Sequence, residues 1–274
     1  MKIAVTGASG MIGAPLSRWL DADGHEVVKV DMVGENPIDL RYSIPDFQGV
    51  EAVFHLAARV GGVDYTHGRQ ELGIMFDNVA IDDHVLHGCA LCGVERIIFA
   101  SSAAVLFDRD SGYGIAKANA EDMFQHYAEK TGAKASILRL FNVYGPGSNG
   151  THVIPELFAK AMHDKEVRVK GSGGDTRAFL YVDDAVQAFV HALRRPLARP
   201  TDIGSDEHIT TKELAEKITA IASPGKQVFF DRTKAPPSMV LPDTEAAHKW
   251  GWKAKVPLSE GLKQMFNYAN PPPV

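Results

Sequence analysis

Short apolar runs alternate with helix-length amphipathic segments through the first two thirds of the chain. Lys2–Thr6, Glu26–Asp31, Val53–Ala57, Arg96–Ser101 and Ala135–Leu140 read as strands, and Ile12–Asp23, Asn78–Cys92 and Gly114–Lys130 as helices between them. Strand–helix–strand alternation of this kind predicts an α/β fold with a doubly wound parallel sheet. After Tyr144-Gly145-Pro146-Gly147 the pattern loosens. Ile154–Asp164, Asp183–Ala192, Thr211–Ala222 and Leu258–Tyr268 read as helices and Glu166–Val169 as a short strand. Pro236-Pro237 opens an irregular stretch, and Asn270–Val274 is a proline-rich tail expected to fray. The expected organisation is a first domain over residues 1–145, to which a segment at about 178–205 returns. A small lobe is formed mostly from residues 146–274.

Composition narrows the class. The chain has 274 residues, 45% hydrophobic and 23% charged, with a net charge of −5. That suits one domain plus a small lobe, and it lacks the basic excess of a binder of nucleic acid or membrane surfaces. No apolar run approaches the ~20 residues of a membrane span. Met1-Lys2 leads straight into the first strand, so the expected location is cytoplasmic. Cys89 and Cys92 form a lone C-x-x-C near Asp83, His84 and His87. No second cysteine pair completes a tetrahedral site, and Leu86, Cys89, Ala90 and Gly93 give an ordinary apolar stripe with a glycine stop, so no metal is expected.

Two motifs carry chemistry. Gly7-Ala8-Ser9-Gly10-Met11-Ile12-Gly13 places G-x-x-G-x-x-G between the first strand and first helix. Glycines there permit a tight turn and let backbone approach a pyrophosphate at a helix N-terminus. Asp31 ends the second strand, where a carboxylate accepts from ribose hydroxyls and repels a 2′-phosphate, so NAD is expected rather than NADP. Asp39-Leu40 is placed to meet the adenine, although a solvated loop aspartate is an equal reading. Tyr113-x-x-x-Lys117 puts a phenol and an ammonium on one helix face, with Ser102 ending the strand before it. An ammonium beside a phenol, with the positive nicotinamide, is expected to lower the tyrosine pKa and make Tyr113 a base.

With these motifs the chain resembles the extended short-chain dehydrogenase/reductases of the NAD-dependent epimerase/dehydratase family. Further stretches carry the likeness: His55-Leu56-Ala57-Ala58, Ala100-Ser101-Ser102-Ala103, Arg139–Pro146, Arg177–Asp184 and Ile203–Glu207. The resemblance implies a Rossmann-type fold with a substrate-binding lobe, bound NAD and a nucleotide-sugar substrate. It assigns the cofactor to Gly7, Gly10, Met11, Ile12, Gly13, Asp31, Asp39, Leu40, Leu56, Ala57, Ala58, Asn78, Ala100, Ser101, Tyr113, Lys117, Phe141 and Val143. It assigns the substrate to Val60, Gly61, Ser102, Asn142, His152, Val153 and Arg177. His55–Gly62 and His152-Val153-Ile154-Pro155 resemble the GDP-fucose synthase and GDP-mannose 3,5-epimerase branches. By that match His152 is a catalytic candidate beside Ser102, Tyr113 and Lys117, while a loop histidine before a helix is an equal reading. The family also implies a homodimer through the helices at about Asn78–Cys92 and Gly114–Lys130. Met123, Phe124 and Tyr127 there read either as interface or as core.

The departures select among reactions. Ala103 and Ala104 stand where these branches and the 4,6-dehydratases carry a cysteine or acid, and alanine transfers no proton. The Ser102–Tyr113 loop is short, and no arginine near Ser238-Met239-Val240 pairs with Arg177. What is left suits an epimerase acting by transient oxidation at C4. A dehydrogenase or reductase of a sugar or sugar nucleotide, and a non-catalytic NAD-binding regulator, are the rivals. The intact Ser102–Tyr113–Lys117 set argues against the last.

Overall fold

A computed structural model describes residues 1–62, 67–148, 150–231 and 238–271. Its core is a six-stranded parallel sheet built from β1 (Lys2–Thr6), β2 (Glu26–Val30), β3 (Ala52–His55), β4 (Arg96–Ser102), β5 (Lys134–Leu140) and β10 (Thr201–Ile203). The strand order is β10-β5-β4-β3-β1-β2. The chain therefore steps outward from β1 to β2, then returns past β1 to lay down β3. Ligands of such sheets lie at that reversal, beyond the strand C-termini.

Both sheet faces are covered, so β1 and β3 are buried along almost their whole length rather than alternately. On one face, Ile3, Val5 and Phe54 pack with Leu16 and Leu20 of α1 (Gly13–Ala22). On the other, Ala4, Val53 and Phe99 pack with Ile81 and Val85 of α2 (Glu71–Cys92). The short α3 (Ala104–Phe107) follows β4 and precedes α4 (Gly112–Thr131). Past β6 (Val143–Tyr144), a second core gathers α5 (Val153–His163), β7 (Val167–Val169) and later segments of the lobe. There β8 (Thr176–Ala178) leads to β9 (Leu180–Tyr181), which pairs with β6. Then α6 (Val182–Arg194) lies back on the large sheet. After β10 come β11 (His208–Thr210), α7 (Thr211–Ala222), β12 (Val228–Phe230), β13 (Met239–Val240), α8 (Glu245–Trp250) and α9 (Leu258–Ala269). β11 and β13 flank β8, and β12 pairs with β7.

The predicted helices and main strands are present within a few residues, with one large exception. Helix α2 begins at Glu71, seven residues before the expected Asn78. Asn78 reads as a helix start because asparagine favours caps. Instead its buried amide bonds inward, to Ile74 O at 2.9 Å and to both Arg59 N and O. Strands β6 and β8 to β13 are two or three residues long, too short to show a period. The stretch expected at Pro236-Pro237 and the end of the tail from Pro272 lie outside the described residues. Among the described residues no helix is long and apolar enough to cross a membrane, and no three potential metal ligands cluster. Cys89 is core, its thiol pushed up by burial, and Cys92 lies 3.8 Å from an Asp46 oxygen.

Candidate active site

The glycine-rich turn is shaped by contacts that leave no room for a side chain. Gly7 has φ +66°, and a Cβ there would lie 2.9 Å from Ala57 N. A Cβ on Gly13 would lie 2.0 Å from Gly7 O. Gly10 N donates to Gly7 O at 3.0 Å, closing the turn. No side chain caps α1, whose start follows Met11 and Ile12. Thr6 completes the frame: its hydroxyl accepts from Leu56 N and Ala57 N, both at 3.1 Å, fixing the step to Ala58. Asp31 is drawn over the turn, accepting from Ser9 N at 2.9 Å, Ser9 Oγ at 2.7 Å and Met32 N at 2.7 Å. A carboxylate has about four acceptor sites, so one lone pair stays open for a ribose hydroxyl. This cradle fits a dinucleotide: close backbone approach, an uncapped helix start and an acid at the second strand's end.

Other expected cofactor residues are engaged elsewhere. Asp39 is held bidentately by Arg41, at 2.9 and 2.6 Å, which lowers its pKa. Leu40 is buried in the core and its carbonyl accepts from His84. Asn78 spends both amide N–H donors and one acceptor site within the chain and anchors the loop at Arg59. Ser101 donates to Glu121 Oε1 at 2.5 Å, and Ala100 is half-buried against the core of the large sheet. Phe141 is buried and meets Phe107 edge-on at 6.1 Å. Met11 reaches Ser148 with its sulfur, 3.0 Å from the hydroxyl, and Val143 is half-buried beside it.

Ser102, Tyr113 and Lys117 converge. Ser111 caps α4 by accepting from Gly114 N at 3.0 Å. Gly114 lets the first turn press on the preceding loop, since a Cβ would sit 2.0 Å from Asp108 O. Tyr113 thereby enters the helix on the side of Ser102, whose hydroxyl favours the phenolate. The expected lowering of Tyr113 is not found within the chain. Burial dominates and pushes it up to about 12, opposed by the Ser102 bond and aided by the Asp82 charge. Lys117 is 2% exposed, with Nζ 4.5 Å above the Phe99 ring and 3.9 Å from Asp82 Oδ1. Burial lowers its pKa, while Asp82 and Glu121 raise it. Asp82, His55 and Glu121 escaped the sequence reading because α2, β3 and α4 meet only in three dimensions; a buried-helix aspartate was the available signal.

On the lobe side, Asn142 is the one non-glycine residue with positive φ among the described residues, at +40°. Its amide donates to Ala178 O at 2.9 Å. Arg177 donates to Thr176 O, Ser238 O and Ser238 Oγ at 2.9, 3.0 and 2.8 Å. Ser238 thus holds Arg177 through both its backbone oxygen and its hydroxyl. His152 precedes α5 without capping it, and burial lowers its pKa. With Asn142, Ser148, Val153 and Phe179 it lines a cavity of about 50 Å³. Val60 is exposed, Gly61 half-buried, and Gly62 N donates to Thr151 Oγ1 at 3.0 Å, docking that loop beside His152. Ala103 stands at the start of α3 with no side-chain cap, and no acid or thiol stands at positions 103 and 104.

Comparison with known proteins adds three findings. The model of the NAD dependent epimerase/dehydratase family matches residues 3–204. GDP-mannose 3,5-epimerase 1 of Oryza sativa subsp. japonica is 26% identical over 98% of this chain and 81% of its own length. GDP-L-fucose synthase of Escherichia coli K12 is 25% identical over 97% and 96%. Among solved structures, the UDP-glucose 4-epimerase of Thermotoga maritima, with UDP-glucose, superposes with TM-score 0.86 at 27% identity, covering 98% of each chain.

Proposed function

This chain belongs to the NAD dependent epimerase/dehydratase family, and from that premise we propose that it epimerises a nucleotide sugar by transient oxidation at C4. The carrying observation is the Ser102–Tyr113–Lys117 set with only alanine at positions 103 and 104. Inversion at one carbon by oxidation and re-reduction needs one base and no second proton-transfer group beside Ser102. The solved UDP-glucose 4-epimerase of the same fold supports this choice.

The Gly7–Gly13 turn and Asp31 would hold the cofactor. NAD bound there would supply reversible hydride acceptance at the sugar carbon. Tyr113 takes the proton of the adjacent hydroxyl, Ser102 orients that oxygen, and Lys117 supplies positive charge as tyrosinate forms. Tyr113 needs that support, because burial holds it near 12. Asn142 and Arg177 would bind the nucleotide-sugar, Arg177 through its diphosphate. His152 flanks them, where it would touch the sugar.

The same reading includes a homodimer. Phe124 is core, its ring tilted against Phe99 at 4.8 Å, and Tyr127 donates to Cys89 O and Val94 O, so neither supplies the apolar surface. Leu72, Phe76 and Leu91 of α2 and Ile115 of α4 are exposed instead. Light scattering should give twice the chain mass.

The decisive experiment incubates the protein with NAD and UDP-glucose, UDP-glucuronate or GDP-mannose, and resolves the products by NMR. A C4-inverted sugar without net NADH is expected. Steady NADH accumulation would identify a dehydrogenase and overturn the epimerase reading.

A further inference from the structure

Asp82 is a buried carboxylate to which the reaction above gives no task. It sits midway along α2, 1% exposed, with its Oδ2 lacking any hydrogen-bond partner. Its Oδ1 lies 2.8 Å from His55 Nε2, and His55 Nδ1 lies 2.8 Å from Thr6 Oγ1. The protons along this line can be assigned. The Thr6 hydroxyl already accepts from Leu56 N and Ala57 N, so its own O–H donates to Nδ1. His55, kept neutral by burial, then carries its proton on Nε2 and donates it to Asp82.

One neutral N–H does not offset a buried negative charge. Four other titratable or charged groups face this cluster. Tyr113 is a neutral phenol. Glu121 lies one turn beyond Lys117 but is held by Arg139, at 2.9 and 2.6 Å, and by Ser101. Arg139 is thereby matched to Glu121. The remaining cation is Lys117, 3.9 Å from Asp82 Oδ1, and equally buried. Each of these two charges is costly alone, and each is the other's nearest unmatched counterpart.

We propose that Asp82 is a positioning residue for the Tyr113–Lys117 pair. Its carboxylate holds Lys117 in the apolar site as the charged ammonium, and through His55 and Thr6 it ties that charge to the strand end carrying the glycine-rich turn. The proposal rests on the reading of Tyr113 as base and Lys117 as its support. The Asp82 charge also adds to the burial that keeps Tyr113 protonated in the chain alone.

A double-mutant cycle on the cofactor-free full chain tests the pairing without needing a substrate. Urea unfolding near pH ~7 is measured for wild type, Asp82→Asn, Lys117→Met and the double variant. Asparagine keeps the oxygen that accepts from His55, so the cycle isolates the charge. The stability lost on Asp82→Asn is expected to be at least about twofold smaller when Lys117 is already Met. Equal losses in both backgrounds would overturn the proposal. If Asp82→Asn alone does not fold, a folded double variant meets the expectation, and an unfolded one overturns it.

A pH profile separates positioning from packing. Without the Asp82 charge, buried Lys117 sheds its proton at lower pH. The alkaline fall of turnover in Asp82→Asn should therefore begin at least about one pH unit earlier, and an unmoved limb would overturn the proposal. Normal turnover in Tyr113→Phe would sink the reading of the site itself while leaving the unfolding cycle intact, so the two failures are distinguishable.

Discussion

The two sides of the site are held in place by different physics. Around the glycine-rich turn, backbone meets backbone, and a single methyl at Gly13 would fall 2.0 Å from Gly7 O. Toward the lobe, side chains bond to segments far off in sequence, as Arg177 does to Ser238, 61 residues away. The first side is a rigid mould made by a few consecutive residues. The second is an agreement among distant ones, able to loosen when one partner leaves. A cofactor shared across a family suits the first, and a substrate that varies among relatives suits the second.

The comparison predicts which changes affect which ligand. The largest effect lies where the sides meet. Tyr113→Phe should lower turnover about 10³-fold while NAD affinity, followed by NADH fluorescence, stays nearly unchanged. In the same pair of proteins, the absorbance difference should show no tyrosinate from Tyr113 below about pH 11, since burial holds its pKa near 12. Next, Gly13→Ala should weaken NAD binding by at least ~100-fold, about 2.7 kcal/mol, because the mould cannot yield; calorimetry giving wild-type affinity would break the contrast. Arg177→Ala should raise the KM for the nucleotide sugar by about tenfold and leave NAD binding alone. The mildest change, Ser238→Ala, removes one of three acceptors around Arg177 and should raise that KM by less than about fivefold. An effect as large as that of Arg177→Ala would mean that the lobe side is as rigid as the turn.

The same contrast explains what could be read from the chain. The turn, Asp31 and the Tyr113–Lys117 spacing are local patterns, and local patterns survive in a linear string. The parallel sheet was legible because its strands are apolar runs separated by amphipathic helices. Asn78 misled because a helix-interior asparagine bonding backward to Arg59 looks the same as a cap. The pairing of Asp39 with Arg41 was not legible either, since two residues of opposite charge two apart give no sign of whether they meet. Asp82 offered only the sign of an acid inside an apolar helix: its meaning depends on β3, α2 and α4 coming together, and no spacing along the chain encodes that. Apart from β7, the small strands of the lobe were missed because two or three residues cannot display alternation.

Strand β10 forms the far edge of the large sheet, beside β5, and α6 before it covers one face of that sheet. Both are made only after the chain has passed through α5 and β7 to β9. A ribosome releasing the first 145 residues has therefore delivered a sheet with one edge open and Leu138 and Phe54 without Phe189 and Val186 to cover them. Such an edge and face attract other chains while they wait. Synthesis speed between residues 145 and 203 thus becomes a quantity that this topology exposes to selection, and pausing there should cost yield through aggregation rather than activity through a damaged site.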